Sequence, residues 1–302
     1  GGAGGDSVTG NTGDNFLAGN DGLDYIDGGA GNDVLTGDTG EDTLIGGAGD
    51  DVLLGGVDDD WLRGGTGNDN LVGGAGSNDT ADFSDATTAV TVTLLDGAGV
   101  ASAPGSTGVD QLSGIENLVG GSAGDTLAGD TAANIISGGY GADSVFGGLG
   151  ADTLKGGAGG DADTIDGGDG LDTIRITNNT GSYNDTMFAN VRNLETVAAN
   201  ASVTDWNATF NANADAAGFS TVTGSGASNE NITFGSGFDN ALRVNLNGGD
   251  DTIYAGLGTD RIYGNDGNDV IFLDFGDAGV DGGTGIDTLY TRYVNTDLTN
   301  TS

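Results

Sequence analysis

The sequence predicts an all-β protein, a parallel β-roll or β-solenoid built from nine-residue repeats with two repeats in each coil. Three observations predict this class. Glycine recurs every nine residues from residue 1 onward, an acidic residue recurs five places after it, and an aliphatic residue follows two places later. Repeats of a short fixed period are typical of stacked architectures in which each unit contacts its neighbours along one axis.

The composition excludes several classes of function. The chain has 302 residues, 63 of them glycine, with 46 acidic residues against 7 basic ones and a formal net charge of -39. It contains no cysteine and no histidine, so disulfides, thiolate chemistry and zinc sites of the His/Cys type are excluded. The negative charge repels nucleic acid and anionic membranes, and no apolar run reaches the length of a membrane span. We therefore expect no nucleic-acid partner and no membrane insertion.

The first array covers residues 1–81. Each repeat, counted from Gly1, divides into six turn residues and three strand residues, and glycine supplies positive φ in the turns. Three strand residues span only about 10 Å, so the chain turns back after each repeat and residues eighteen apart stack. The sequence thus predicts two facing aliphatic ladders. Their members are Val8, Ile26, Leu44 and Leu62 on one sheet, and Leu17, Leu35, Leu53 and Leu71 on the other.

The sixth position of each repeat carries the acid. Stacking places these carboxylates about 4.8 Å apart, which is strongly unfavourable without counterions, and the thin core buries too little to offset the ordering entropy of so many glycines. Calcium suits such turns, because it accepts six to eight oxygens from carboxylates and backbone carbonyls, whereas magnesium retains its waters. We predict many Ca²⁺ ions. The candidate metal-binding carboxylates are Asp6, Asp24, Asp33, Asp42, Asp51, Asp60, Asp69, Asp79, Asp125, Asp143, Asp152, Asp163, Asp172, Asp251, Asp260, Asp269 and Asp287.

The nonapeptides "GGAGNDVLT" and "GGAGDDVLL" resemble those of the RTX family of calcium-binding proteins, and the resemblance covers residues 1–81. It implies a parallel β-roll with calcium held between stacked turns of the same edge by position-six Asp and backbone carbonyls. One ion would be shared by Asp33, Gly29 and Gly31 with Gly46, Ala48 and Asp50 of the next turn. The turn residues implied in binding are Gly28, Gly29, Ala30, Gly31, Asn32, Gly46, Gly47, Ala48, Gly49, Asp50, Gly64, Gly65, Thr66, Gly67 and Asn68. Asn15 and Asp58 depart from the pattern, and Asn15 predicts a weaker site because it offers an oxygen without a charge.

The rest of the chain contains further arrays. Residues 82–119 form a β connector, in which "VTVTLL" predicts a strand and "GVDQLSGIENLVGG" resembles a connector common between RTX arrays of large secreted bacterial proteins. Residues 120–175 form a second array, with a bulged turn expected in "GGAGGDADTID". Residues 176–245 are rich in Asn, Ala and Thr, and they predict a metal-poor β-solenoid segment. Residues 246–290 form a third array whose block 273–281 lacks the central acid, and 291–302 is a tail.

Two functions of different class are consistent with these features. The first is an extracellular structural or assembly protein of the surface-layer, filament or adhesin type, which folds and associates on binding calcium. "VRNLETVAAN" resembles segments of calcium-dependent bacterial surface-layer proteins, and the expected partners are copies of the chain or cell-surface polysaccharide. The alternative is a calcium-dependent RTX module of a larger enzyme or toxin that leaves the cell by type I secretion. The chain begins inside a repeat without Met, as an excised module would.

Both functions predict a secreted protein at a bacterial cell surface or beyond it, and neither requires catalysis by these residues. Paired carboxylates such as Asp50 and Asp51 could form a glycosidase dyad only in a cleft with one raised pKa. Such pairs recur in nearly every turn. We therefore expect that the chain is not an enzyme.

Overall fold

The computed structural model describes residues 1–103, 107–156, 163–176, 182–183, 188–199, 206–226, 228–235, 237–274 and 276–291. These residues are nearly all in β-strands, turns and bends, with one short helix. The chain divides into two compact units, Gly1–Asp172 and Thr173–Ser302. Each unit is a parallel β-solenoid, which confirms the predicted fold class.

The first unit is built from two sheets, and successive strands alternate between them, so two repeats make one coil. One sheet has the order β1-β3-β5-β7-β9-β13-β15-β17, and the other β2-β4-β6-β8-β12-β11-β10-β14-β16-β18. The strands are β1 (Ser7–Asn11), β2 (Phe16–Asp21), β3 (Tyr25–Ala30), β4 (Val34–Thr39), β5 (Thr43–Ala48), β6 (Val52–Val57), β7 (Trp61–Thr66), β8 (Asn70–Ala75), β9 (Thr80–Asp82), β10 (Thr91–Leu95), β11 (Ala98–Ala103), β12 (Gly108–Ser113), β13 (Asn117–Val119), β14 (Thr126–Ala128), β15 (Ile135–Ser137), β16 (Ser144–Gly150), β17 (Thr153–Lys155) and β18 (Thr164–Gly170).

The aliphatic ladders have the predicted register. Ile26 pairs with Leu44 across β3 and β5, and Leu35 pairs with Leu53 across β4 and β6. From Ile26 to Leu71 every ladder member is fully buried, because the two sheets enclose a core one side chain deep per strand. Val8 and Leu17, in the first coil, are half-buried.

The strands of the first array are longer than the sequence predicts. β2 to β8 each have six residues rather than three, because the pairing continues from the aliphatic residue into the following turn. Gly29 pairs with Gly47, and Ala30 with Ala48. Gly29 and Gly31 have φ of 99° and 115°, a left-handed conformation that lets the turn backbone stack in line with the strand.

The connector interrupts one sheet of the first unit. The predicted strand in "VTVTLL" is β10, which pairs antiparallel with β11, and β11 pairs antiparallel with β12. Asp96 and Gly97 close the first hairpin, both with positive φ (52° and 72°), as a two-residue hairpin turn requires. β12 then adds parallel to β8 and β10 parallel to β14, so the hairpin is inserted between two nonapeptide coils.

The second unit has sheets ordered β19-β22-β24-β26-β28-β30 and β20-β23-β25-β27-β29-β31. Its elements are β19 (Thr173–Ile176), β20 (Ser182–Tyr183), β21 (Val191–Arg192), β22 (Thr196–Ala199), β23 (Asn207–Phe210), α1 (Ala212–Ala216), β24 (Thr221–Thr223), β25 (Asn231–Phe234), β26 (Arg243–Asn245), β27 (Thr252–Tyr254), β28 (Arg261–Tyr263), β29 (Val270–Leu273), β30 (Gly279–Asp281) and β31 (Thr288–Thr291).

The coils of the segment 176–245 are longer than nonapeptide coils and enclose aromatic rings. Phe210 and Phe234 stack with centroids 5.1 Å apart, and Phe188 meets Phe219 edge to face at 5.2 Å. Trp206 is also buried. The bulged turn expected in 156–166 falls mainly on 157–162, and most of the tail 291–302 on 292–302, both outside the described residues.

Candidate metal centres

Each position-six carboxylate lies immediately before a strand, at the edge of the solenoid. Asp33 precedes Val34 of β4, and Asp51 precedes Val52 of β6. These acids are buried although they are charged residues, with exposed fractions of 1% for both. Burying an ionised carboxylate is strongly unfavourable unless it is paired, hydrogen-bonded or bound to metal.

One oxygen of each carboxylate is used by the protein. The amide nitrogen of Asp33 donates to Oδ1 of Asp51 at 2.7 Å, and that of Asp51 donates to Oδ1 of Asp69 at 2.8 Å. The opposite edge has the same pattern. The amide nitrogen of Asp24 donates to Oδ1 of Asp42, and that of Asp60 donates to Oδ1 of Asp79, both at 2.8 Å. We call these stacks the second column (Asp33, Asp51, Asp69) and the first column (Asp24, Asp42, Asp60, Asp79).

The other oxygen is left over. Oδ2 of the columns' members is buried and has no hydrogen-bond partner among the described residues, and the same holds for several acids of the other arrays. The aspartates concerned include Asp24, Asp33, Asp42, Asp51, Asp60, Asp69, Asp79, Asp152, Asp251, Asp260 and Asp269. Because buried polar atoms are nearly always satisfied in folded proteins, this repeated exception indicates a missing electropositive partner at each turn.

The unpartnered oxygens lie beside backbone carbonyls of the neighbouring turn. A Cβ at Gly28 would contact Oδ2 of Asp33 and would lie 2.7 Å from the carbonyl oxygen of Gly46. A Cβ at Gly46 would likewise contact Oδ2 of Asp51 and lie 2.6 Å from the carbonyl oxygen of Gly64. Glycine at position one therefore keeps open a space lined by a carboxylate oxygen of one turn and a carbonyl oxygen of the next. An all-oxygen donor set from two turns fits calcium.

The other turn residues implied in binding lie in the same stack. Gly47 pairs with Gly65 and Ala48 with Thr66, so the turns at 28–32, 46–50 and 64–68 lie directly over one another. The carbonyls of Ala48 and Thr66 each accept an N–H bond of 2.8 Å, from Gly31 and Gly49. Backbone carbonyls have two lone pairs, so each of these retains acceptor capacity.

Several column members have a raised pKa. The pKa of Asp60 is raised to about 7, chiefly by burial and further by the nearby charge of Asp79, whereas a hydrogen bond from the Asp42 amide lowers it. The pKa of Asp69 is raised to about 7 in the same way, with the charge of Asp110 as the additional cause. Burial also raises the pKa of Asp51. A cation at these oxygens would favour the ionised form instead.

Some position-six side chains accept an additional hydrogen bond, and for Asp125 both carboxylate oxygens are bonded. Asp125 accepts from Val90 at 2.8 Å through Oδ1 and from Gly121 at 2.6 Å through Oδ2. Oδ2 of Asp6 accepts from the amide of Gly2, at the start of the described solenoid. Asn15 accepts from Asn11 at 2.7 Å. In all three cases the donor is the N–H of position two in the same turn. Oδ2 of the column members from Asp24 to Asp79 has no such bond.

The remaining predicted carboxylates keep the column arrangement. The amide nitrogen of Asp143 donates to Oδ1 of Asp163 at 3.0 Å, and that of Asp152 donates to Oδ1 of Asp172 at 2.8 Å. Each pair is twenty residues apart. In the third array Asp251 donates to Asp269 at 2.9 Å, and Asp269 to Asp287 at 3.1 Å. Asp287 is exposed, whereas Asp251 and Asp269 are buried.

Sequence reasoning missed two acids in the connector. Oδ1 of Asp110 accepts from the amide of Asp69 at 2.9 Å and ends the second column, and burial raises its pKa to about 6. Oε2 of Glu116 accepts from the amide nitrogen of Asp79 at 3.0 Å, so Glu116 ends the first column. The half-repeat "GVDQL" from Gly108 keeps the spacing of glycine, acid and aliphatic residue and could have identified Asp110.

A second ladder at position five was also missed. Asn32 donates its amide to Oδ1 of Asp14 at 2.8 Å, Asp50 to Asn32 at 3.1 Å, and Asn68 to Asp50 at 2.8 Å. Here the later turn donates to the earlier one, the reverse of the position-six columns. The two ladders together fix each turn against both of its neighbours.

Within the described residues, no three His, Cys, Asp or Glu side chains are arranged to hold a metal ion. The candidate centres are of a different kind, because carboxylates eighteen residues apart are combined with main-chain carbonyls rather than with each other. A parallel β-solenoid whose glycine turns stack buried carboxylates at its edges defines a solenoid repeat protein with oxygen-lined turns.

The model of the RTX calcium-binding nonapeptide repeat, which spans four copies, matches residues 1–35, 27–62, 36–71, 54–79, 119–154 and 246–278. The chain therefore carries several copies of the RTX calcium-binding nonapeptide repeat. No curated protein matches the chain. No helix of the described residues has the length and apolar character needed to cross a membrane.

Proposed function

We propose that this chain is a calcium-dependent structural or assembly protein that acts outside the cell. The observation that supports it is the set of buried Oδ2 atoms that have no hydrogen-bond partner among the described residues, at the same place in turns of three arrays. A folded chain that buries so many carboxylates is strongly destabilised near neutral pH unless a cation or a proton neutralises them, and of these two only a cation is compatible with the ionised form. The residues that would hold calcium are the column aspartates and the carbonyls of the position-one glycines.

Calcium would act as a folding switch. A ligand that binds only the folded chain stabilises it by an amount that grows with the free ligand concentration. Where calcium is scarce, a chain of net charge -39 with a thin core stays expanded. In the millimolar calcium of extracellular fluid the columns are neutralised and the coils stack. Calcium itself supplies charge neutralisation and oxygen coordination, and the chain supplies the ordered turns.

A role in assembly is favoured by the parallel sheets within each unit, because strands of such sheets can pair with strands of a further copy. Copies of the chain and cell-surface polysaccharide are the partners that we propose. We propose no catalytic activity for these residues. The second candidate is a calcium-dependent module of a larger type I-secreted enzyme or toxin, and the connector sequence between the arrays favours it.

Sedimentation velocity, first with chelator and then with a few millimolar calcium, tests the proposal. Calcium should convert a slow, expanded species into large assemblies if the assembly role is correct. Conversion into a compact monomer would keep the folding switch but favour the module of a larger secreted protein. An unchanged sedimentation coefficient would contradict calcium-dependent folding altogether.

A further inference from the structure

One turn in the segment 176–245 stacks on the third array although its sequence does not fit the nonapeptide. The amide of Asp250 donates to Oδ1 of Asn229 at 2.9 Å, and the amide of Asn268 donates to Asp250 at 2.8 Å. This continues the position-five ladder of the third array back into the segment. A Cβ at Gly249 would contact the carbonyl of Ser228, just as one at Gly49 would contact that of Gly31. Ser228 and Asn229 therefore occupy positions four and five of an RTX-like turn.

The acid of this turn is Glu230. Its amide donates to Oδ1 of Asp251 at 2.7 Å, which is the bond that position-six aspartates make to the next turn. Its exposed fraction is 1%, the same as that of Asp251. Oε1 accepts from the amide of Ser225 at 3.2 Å and from the hydroxyl of Ser228 at 3.0 Å. Oε2 is buried and accepts no hydrogen bond from an N–H or O–H group of the described residues.

Oε2 lies where Oδ2 of an aspartate lies in the nonapeptide turns. A Cβ at Gly224 would lie 3.0 Å from Oε2 of Glu230 and 2.7 Å from the carbonyl oxygen of Leu246. Gly28 has the equivalent neighbours, Asp33 Oδ2 and the Gly46 carbonyl. The turn has one residue more between its first glycine and its acid than a nonapeptide turn, and the acid side chain is one methylene longer. The carboxylate oxygen still reaches the space beside the position-one glycine.

We propose that Glu230 is the carboxylate ligand of a further divalent-cation site, formed between the turn residues Ser225, Ser228 and Glu230 and the turn that begins at Leu246. The carbonyl oxygen of Leu246 is its second donor, and Ser225 and Ser228 orient the carboxylate through Oε1. The inference rests on the proposed calcium function. It extends cation binding beyond the matched range 246–278 into a segment that the sequence predicts to be metal-poor.

The test counts bound calcium by native mass spectrometry at saturating calcium, with circular dichroism to report the fold. Glu230→Gln should bind a single ion fewer than the wild-type chain. Glu41→Gln is the matched control, because Glu41 is exposed at position five, and it should leave the count unchanged. An unchanged count in folded Glu230→Gln would overturn the site. If the wild-type chain bound no calcium, the proposed function itself would fail, which is a different result.

Ser225→Ala is the milder variant and decides the matter if Glu230→Gln does not fold. It removes one hydroxyl donor to Oε1 and leaves the turn backbone intact. The ion count at saturation should remain that of the wild type, but loading of the last ion should require several-fold more calcium. A loading curve identical to the wild type would contradict the orienting role and, with an unfolded Glu230→Gln, would overturn the proposal.

Discussion

The amide nitrogen of Asp33 lies 2.7 Å from Oδ1 of Asp51, eighteen residues later in the chain. This bond holds one carboxylate oxygen in place and leaves Oδ2 buried beside the position-one glycine of its own turn. A single side chain therefore joins two coils through one oxygen and leaves the other free for the proposed cation. We expect the stability of the stack and cation binding to depend on the same residue.

Replacing both Asp33 and Asp51 with Ala should raise the calcium concentration at the folding midpoint several-fold, because neighbouring sites lose their carboxylate ligands. Calcium titration followed by circular dichroism measures the midpoint. Asp27→Ala is the control, since Asp27 follows the buried Ile26 in β3 and lies outside the columns. A midpoint equal to the wild type in the double variant would show that these residues are not ligands.

Gly46→Ala should weaken calcium binding without removing any acid. The new Cβ would contact Oδ2 of Asp51 and lie 2.6 Å from the carbonyl of Gly64, so the space between these oxygens would be filled. Isothermal titration calorimetry should record fewer bound ions than in the wild type. Gly13→Ala is the comparison, because its Cβ would lie 3.5 Å from its nearest neighbour, an ordinary contact. Equal stoichiometry in both variants would contradict the role of the glycine.

Leu53→Ala should lower the free energy of unfolding by about 2–5 kcal/mol, as is typical when a buried leucine leaves a cavity. Leu53 is fully buried between the sheets, whereas the next residue, Leu54, is 38% exposed. Leu54→Ala should therefore change the stability little. Urea unfolding of both variants in saturating calcium gives the comparison, and similar losses in the two would contradict the one-residue-deep core.

Acid should partly replace calcium as the stabiliser of the metal-free chain. The pKa of Asp60 and Asp69 is raised to about 7 in the folded state from an ordinary value of 3.8, chiefly by burial. A raised folded-state pKa means that the folded chain binds protons more tightly, so stability is greatest below the ordinary pKa and is lost as pH rises through about 7. Chelator-treated chain should thus be more compact at pH 5 than at pH 8, as dynamic light scattering can measure.

Protons should also compete with calcium for the same oxygens. In saturating calcium the preference reverses, because the cation requires the ionised carboxylates and a proton displaces it. The midpoint of calcium occupancy, which isothermal titration calorimetry measures, should therefore rise as pH falls below about 7. A midpoint independent of pH between 5 and 8 would mean that Asp60 and Asp69 do not titrate in the metal-free fold.

The repeating part of the fold is predictable from sequence because its register is local. The interval of eighteen between Ile26 and Leu44 follows from the turn and strand lengths alone, and it determines which acids stack. The place of Asp110 is different, since its column partner Asp69 lies forty-one residues earlier and is brought to it by a hairpin. The longer coils around Phe210 are likewise not predictable from a repeat, because their register depends on the packing of aromatic side chains that do not recur at a fixed interval.

The connector breaks the periodicity of only one sheet. β8 and β14 are separated by β12, β11 and β10, whereas β9 and β13 are direct parallel neighbours in the other sheet. In a linear array with nearest-neighbour coupling, such an insertion is a defect at which cooperativity weakens. Because the other sheet is continuous there, a folding front that starts in one array has an uninterrupted template along which it can advance into the next.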